Sequence, residues 1–296
     1  MNRGIGIRVI AWLLVAAAWP AQAQSPEELE AARQQSFRAG MEALVADLNQ
    51  SSYRSIIQAI DQGDMLERIY GLRLIDQQVK KSFGERLEYT WEDLIRSGFP
   101  RDDDSRVPAT LLGVESRGDL GRAVVRFDLP DFQFNYHEYD LRLDSRGRMY
   151  VVDWIDYLGG KRFSDAVGES LVMGMPSKPA MRKLLDFRNV TDVELFQFGE
   201  LLKAARDGRL TRYLEILEDM DEKFQRQRIV VESTVSVAKR ARKRRAMLAG
   251  LETMAEYYPN EPLYALMLLD HYFPARKYEA ASSALLGAYR KIGFDD

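Results

Sequence analysis

The sequence predicts an α+β chain in which N-terminal helices cover a curved antiparallel sheet and an all-helical region of repeats follows. Three observations lead there. Helical periodicity runs from Ser25 to about Phe99, the period changes to that of strands between Val107 and Tyr157, and from Glu194 onward the pattern recurs every 34 residues.

The first 23 residues stand apart from this plan. Arg3 and Arg8 precede an apolar run of 11 residues, Val9 to Trp19, and Pro20 leads into Ala21-Gln22-Ala23. This is the pattern of a secretory signal peptide cleaved before Gln24, and it sets export to the periplasm as the expectation. The run is well short of the roughly 20 residues a spanning helix needs, and no later stretch approaches that length. The chain has no cysteine, which excludes disulfides, thiolate metal sites, thiol catalysis and lipid attachment at a cysteine. Removing the leader takes two cations and no acid, moving the formal charge from −3 to −5. A net-acidic exported protein is not built as a nucleic-acid binder.

In chain order, Ser25 with Glu28 forms a capping box that opens the first helix. Helical spacing continues through Tyr53 to Gln62, Met65 to Phe83 and Arg86 to Ser97, punctuated by Gly63 and Gly84 and ended by Gly98-Phe99-Pro100. Strands are expected near Thr110 to Ser116, Arg122 to Leu129, Phe132 to Leu143 and Met149 to Tyr157. The short turns "RGDLG", "PD" and "DSRGR" between them predict an antiparallel meander. Domain limits follow: leader 1–23, α+β domain 24–173, a transition through "GMPSKP" at 174–193, and repeats at 194–296.

The order of helices and then a meander ending in "YVVDWIDYLGGKRFSD" resembles the NTF2-like or cystatin-like α+β fold over Tyr53 to Ser164. That resemblance implies a cone-shaped pocket between helices and sheet. Beyond it, segments 194–227, 228–261 and 262–295 align, with apolar residues at equivalent places: Leu201, Val235 and Leu269; Ala204, Ala238 and Tyr272; Leu217, Leu251 and Leu285. The period and phase resemble the tetratricopeptide repeat (TPR), best in the last copy, where Leu269, Tyr272, Ala281, Leu285 and Ala288 take packing positions. Gly208 falls at the expected first turn and Pro259 at the end of the second copy. Tyr213, Met220, Met247 and Met254 depart from the small residues the family prefers.

In such an array the first helix of each pair lines a concave groove. The resemblance therefore implies a partner-binding groove of Phe198, Leu202, Arg206, Glu232, Ser236, Lys239, Leu266, Asp270 and Phe273. The middle copy carries a basic patch of Lys239, Arg240, Arg242, Lys243, Arg244 and Arg245, six cations in seven residues. No Gly or Pro marks a turn there, so the segment reads either as a helix pair or as one long helix from about Glu222. The patch is a solvated helix face, a docking site for an acidic partner, or a hold on an anionic envelope polymer.

Catalytic, cofactor and metal sites are not expected. The chain lacks a P-loop, a G-x-S-x-G, an H-E-x-x-H and an EF-hand loop. "RDDDSR" at Arg101 to Arg106 has no ligands at alternating positions. Of the two histidines, His137 shares a strand face with Tyr139 and Leu141, and an acid/base pair with Asp153 is the one enzymatic arrangement to test. The expectation is a non-enzymatic protein-interaction or scaffold module of the cell envelope. Two alternatives remain open: a ligand or enzymatic pocket in the α+β domain, and an envelope factor binding anionic polymer or lipid through Lys239 to Arg245.

Overall fold

The structure is a computed structural model that describes residues 25–50, 52–71, 75, 77–100, 107–130, 133–174, 181–182, 185, 189–259, 261 and 264–293. The leader, the acidic loop at 101–106 and most of the transition after Gly174 lie outside the described residues.

Helix α1 (Pro26–Asn49) starts at its capping box. Glu28 N–H donates to Ser25 Oγ at 3.1 Å and Ser25 N–H donates to the Glu28 carboxylate at 2.8 Å, pairing two donors the helix itself cannot satisfy. Phe37, Met41, Leu44, Val45 and Leu48 recur at helical spacing and are buried. Helices α2 (Arg54–Ala59), α3 (Gln62–Gly71) and α4 (Gln77–Ser97) complete the layer. Gly98 ends α4 where a Cβ would lie 2.6 Å from the Trp154 ring and 2.7 Å from that of Phe163. Only glycine allows this approach to a ring pair stacked 4.0 Å between centroids.

Strands β1 (Ala109–Arg117), β2 (Leu120–Leu129), β3 (Gln133–Leu143) and β4 (Met149–Asp156) form the expected antiparallel meander. A short fifth strand, β5 (Lys161–Arg162), pairs with the end of β4 and was not anticipated. One irregularity matters for side-chain direction. Asp140 pairs with Asp153 but Leu141 pairs with Val151, so Val152 is an extra residue and the face presented by β4 switches there.

Both faces of the sheet are covered. Ala123, Val125, Phe127, Tyr139, Leu141, Val151 and Trp154 pack against the N-terminal helices. On the opposite face Val124, Ile155 and Tyr157 pack with Ala265, Ala288 and Ile292 from the C-terminal end of the chain. The run Ala123-Val124-Val125, buried throughout, is the local sign of a two-sided strand.

After α5 (Phe163–Gly174) the described chain forms three helix hairpins. They are α6 (Asp192–Arg206) with α7 (Leu210–Glu218), α9 (Arg228–Arg240) with α10 (Arg244–Tyr257), and α11 (Ala265–Tyr272) with α12 (Tyr278–Ile292); a one-turn α8 (Glu222–Gln225) precedes α9. The middle segment is thus a helix pair, with its turn inside the basic run. The 34-residue period is written in the backbone: Gly208, Arg242 and Arg276 have φ of 66°, 53° and 55°. In each hairpin the next N–H reaches back five residues, from Arg209 to Ala204, Lys243 to Ala238 and Lys277 to Tyr272, at 2.9, 2.9 and 3.0 Å. This is the six-to-one bond of a left-handed helix C-cap.

The equivalent apolar positions pack with one exception. Leu201, Val235, Ala204, Ala238 and Leu251 are buried, whereas Leu285, expected at a packing position, is 43% exposed. The third hairpin stacks on Leu251, and among the described residues nothing stacks on Leu285 in the same way. Tyr213 and Met254 sit in the core despite their size. The Tyr213 hydroxyl lies 2.8 Å from Ser233 Oγ and 2.9 Å from Thr234 Oγ1, and donates to the Val230 carbonyl at 3.0 Å, so it ties the first hairpin to the second.

Candidate functional site

The residues expected to line a groove divide into three groups. Phe198 and Leu202 are fully buried in the core of the first hairpin and offer no surface to a partner, because α6 turns that stripe toward α7 and α9. Arg206, Glu232, Ser236 and Lys239 do come together, with Arg240, around a cleft of about 440 Å³. Leu266 packs against the sheet cluster, Phe273 is 51% exposed, and the side chain of Asp270 lies outside the description.

The cleft opens between α9 and the chain's own α5 and β5. The side of the array expected to receive a partner is the side on which the α+β domain docks. Lys161 is the centre of that contact: its Nζ donates to Glu169 at 2.6 Å and to Glu232 at 2.7 Å. Glu232 also accepts from Arg228 Nε at 2.9 Å and from the Tyr264 hydroxyl. Burial works against every charge here. It raises the Glu169 carboxyl above its ordinary range, while for Lys161 and Glu232 the attraction between ammonium and carboxylates outweighs burial and favours both charged forms.

A second contact joins the sheet to α12. Arg122 lies 3.1 Å from Glu138, which also accepts from the Tyr157 hydroxyl at 2.7 Å. Arg122 donates as well to the carbonyls of Lys291 and Ile292 at 2.6 and 2.8 Å, closing the helix's C-terminal end. Burial alone would raise the Glu138 carboxyl, but the hydrogen bonds from Arg122 and Tyr157 hold it below its ordinary value.

The open surface lies elsewhere. A groove of about 710 Å³ runs between α7 and α10 and over α9. It exists because α7 has 9 residues where its counterparts α10 and α12 have 14 and 15, so the stacking face of the first hairpin is incompletely filled. Leu214, Leu217, Val231, Ala246 and Ala249 give it apolar walls, Lys243 and Arg245 line one side, and Glu215 and Glu218 contribute acidic groups.

The basic run borders this groove. Lys239 and Arg240 end α9, Arg242 and Lys243 make the turn, and Arg244 and Arg245 open α10. All six are exposed, and among the described residues none forms an ion pair. Arg240 donates to the Ala205 carbonyl. The first turn of α10 contains no acid, although a helix N-terminus disfavours cations by a few tenths of a kcal/mol or more. Arg242 adopts the left-handed conformation that glycine takes in the first hairpin, a further local cost.

The acid/base pair of His137 and Asp153 does not form. His137 faces the inner core among Phe99, Phe127, Tyr139 and Trp154, and its pairing partner on β4 is Asp156. Asp153 accepts from Ser164 Oγ at 2.6 Å and from Trp154 N–H at 2.9 Å, on the face set by its pairing with Asp140. Burial pushes the His137 pKa down to about 4, so at neutral pH it is an uncharged core residue. Among the described residues no group of three or more His, Asp or Glu is placed to hold a metal ion, and no helix is long and apolar enough to cross a membrane.

Compared with known proteins, the chain matches no family model, no curated protein and no solved structure. What the geometry defines is an α+β chain whose C-terminal hairpins fold back onto its own sheet. Sequence reasoning missed the Lys161 and Arg122 clusters, whose members lie far apart in the chain and carry no local pattern. It also missed the groove, whose one local sign is the shortness of the segment between Gly208 and Met220.

Proposed function

We propose that the protein is a non-enzymatic interaction module, exported as its leader suggests, that binds an acidic amphipathic segment of a partner protein in the groove between α7 and α10. One observation carries this: an apolar groove lined by Lys243 and Arg245, which among the described residues form no ion pair, beside a left-handed Arg242 and with Arg244 and Arg245 in the helix turn where the dipole opposes cations. Local rules broken in this way are characteristic of functional surfaces. An anionic flank would relieve the charge, and the apolar walls favour a segment with hydrophobic side chains over a wholly polar polymer. The resemblance of the hairpins to TPR units supports a binding role, with the docking face moved from the expected groove to the side between α7 and α10.

Cross-linking in the native envelope tests the proposal. Ala249 is exposed in the groove wall, so Ala249→Trp fills the groove without disturbing the core. We expect it to reduce partner recovery at least about tenfold, as loss of a central anchor does. Lys243→Glu with Arg245→Glu is expected to weaken recovery and to remove its salt dependence. Unchanged recovery in both variants overturns the assignment, and recovery of polysaccharide or lipid in place of protein assigns the run to an envelope polymer instead.

A further inference from the structure

We infer that the helical array associates end to end with a second copy of this chain, the outer face of α12 in one copy seating on α6 of the next. Among the described residues α12 carries a group of exposed apolar side chains: Tyr278, Leu285 and Leu286 are 62, 43 and 52% exposed. At the other end of the array Val193 and Phe196 of α6 are 69 and 70% exposed.

These two patches are the unmatched halves of one interface that already exists inside the chain. Where the second hairpin meets the third, Leu251 and Ala255 of α10 pack with Tyr264 and Leu268. One period later, the counterpart of Leu251 is Leu285. The counterparts of Tyr264 in the earlier hairpins are Val230, which is fully buried, and Phe196, which is not. Among the described residues the array therefore presents a Leu285 face with no following hairpin and, on α6, an exposed Phe196 beside Met181 and Gly199. Each is the mate of the other, and they lie at opposite ends, so they meet only between copies.

Charge agrees with this pairing. Successive helices joined by short connections reverse direction, so an incoming α6 stacked like α11 places its N-terminus beside the C-terminus of α12. The last turn of α12 carries Arg290 and Lys291, and the first turn of α6 carries Asp192 and Glu194. A contact of this heterologous kind does not close on itself, so association grows with concentration.

Sedimentation of the protein purified from the cells that produce it, over a range of concentrations, reads this directly. Leu285→Asp and Phe196→Asp alter exposed positions at opposite ends, and unchanged circular dichroism confirms that each variant folds. Each is expected to weaken self-association at least about tenfold. Mixed together they are expected to form a one-to-one pair that grows no further, because one copy retains its α12 face and the other its α6 face. Ala249→Trp, which blocks the partner groove, should associate like the unaltered protein, so this inference and the proposed function fail separately. A protein monomeric at every concentration overturns the inference. So does loss of association with Leu285→Asp but not with Phe196→Asp, which would show α12 pairing with α12.

Discussion

His137 is uncharged in the folded protein at neutral pH because its burial outweighs the attraction of the nearby Asp156 carboxylate. Its pKa falls from an ordinary 6.5 to about 4, so the unfolded chain takes up a proton before the folded one does. Its contribution is fully present above pH 6.5 and is lost as pH falls toward 4; the full difference is worth about 3 kcal/mol. Urea unfolding at pH 7.5 and at 4.5 should show the natural protein losing more stability on acidification than His137→Gln. The carboxylates and His271 titrate in both and cancel. Equal losses would show that His137 does not titrate in this way. The sequence placed His137, Tyr139 and Leu141 on one strand face, and the structure agrees. It did not reveal the extra residue at Val152, which separates Asp153 from that face, because a bulge depends on how two strands align and not on either alone.

At the scale of elements, local pattern was a good guide wherever a few neighbouring residues decide the outcome. The Ser25 capping box, the four long strands and the Gly208 turn are where their residue types require them. The turn at Arg242 was ambiguous because nothing in "KRARKRR" favours a left-handed residue; stacking of α9 and α10 imposes it. Replacing that arginine by glycine should therefore relieve backbone strain. Arg242→Gly is expected to stabilise the protein by up to about 1 kcal/mol, the left-handed cost less the added freedom of the unfolded chain. Chemical denaturation checks this, and destabilisation would mean that the Arg242 side chain holds the turn. If the proposed function is correct, the same variant also weakens partner binding, a stability gain set against function.

For the whole molecule, the governing fact is that the sheet is covered on both faces by parts of the same chain. Lys161 is expected to be the electrostatic centre of the contact between α5 and α9. Lys161→Met leaves Glu169 and Glu232 facing each other in a largely buried setting and should cost on the order of 3 kcal/mol at pH 7.5. The two carboxylates then bind protons more readily folded than unfolded, so the deficit should shrink as pH falls toward 5. A deficit unchanged between those conditions would place the cost in lost packing.

The sequence by itself determined the element order, the meander, the 34-residue period and the lack of thiol chemistry. Each rests on residue type or spacing within a short window, where backbone preference and side-chain periodicity act. Only the tertiary structure decided that the α9 face expected to line a groove is met by the chain's own α5 and β5 and that Phe198 and Leu202 are core. It likewise decided that the open groove lies between α7 and α10. Those outcomes depend on which apolar faces find each other across 100 residues or more, as Val124 finds Ile292, and burial carries no directional signature that a local pattern records.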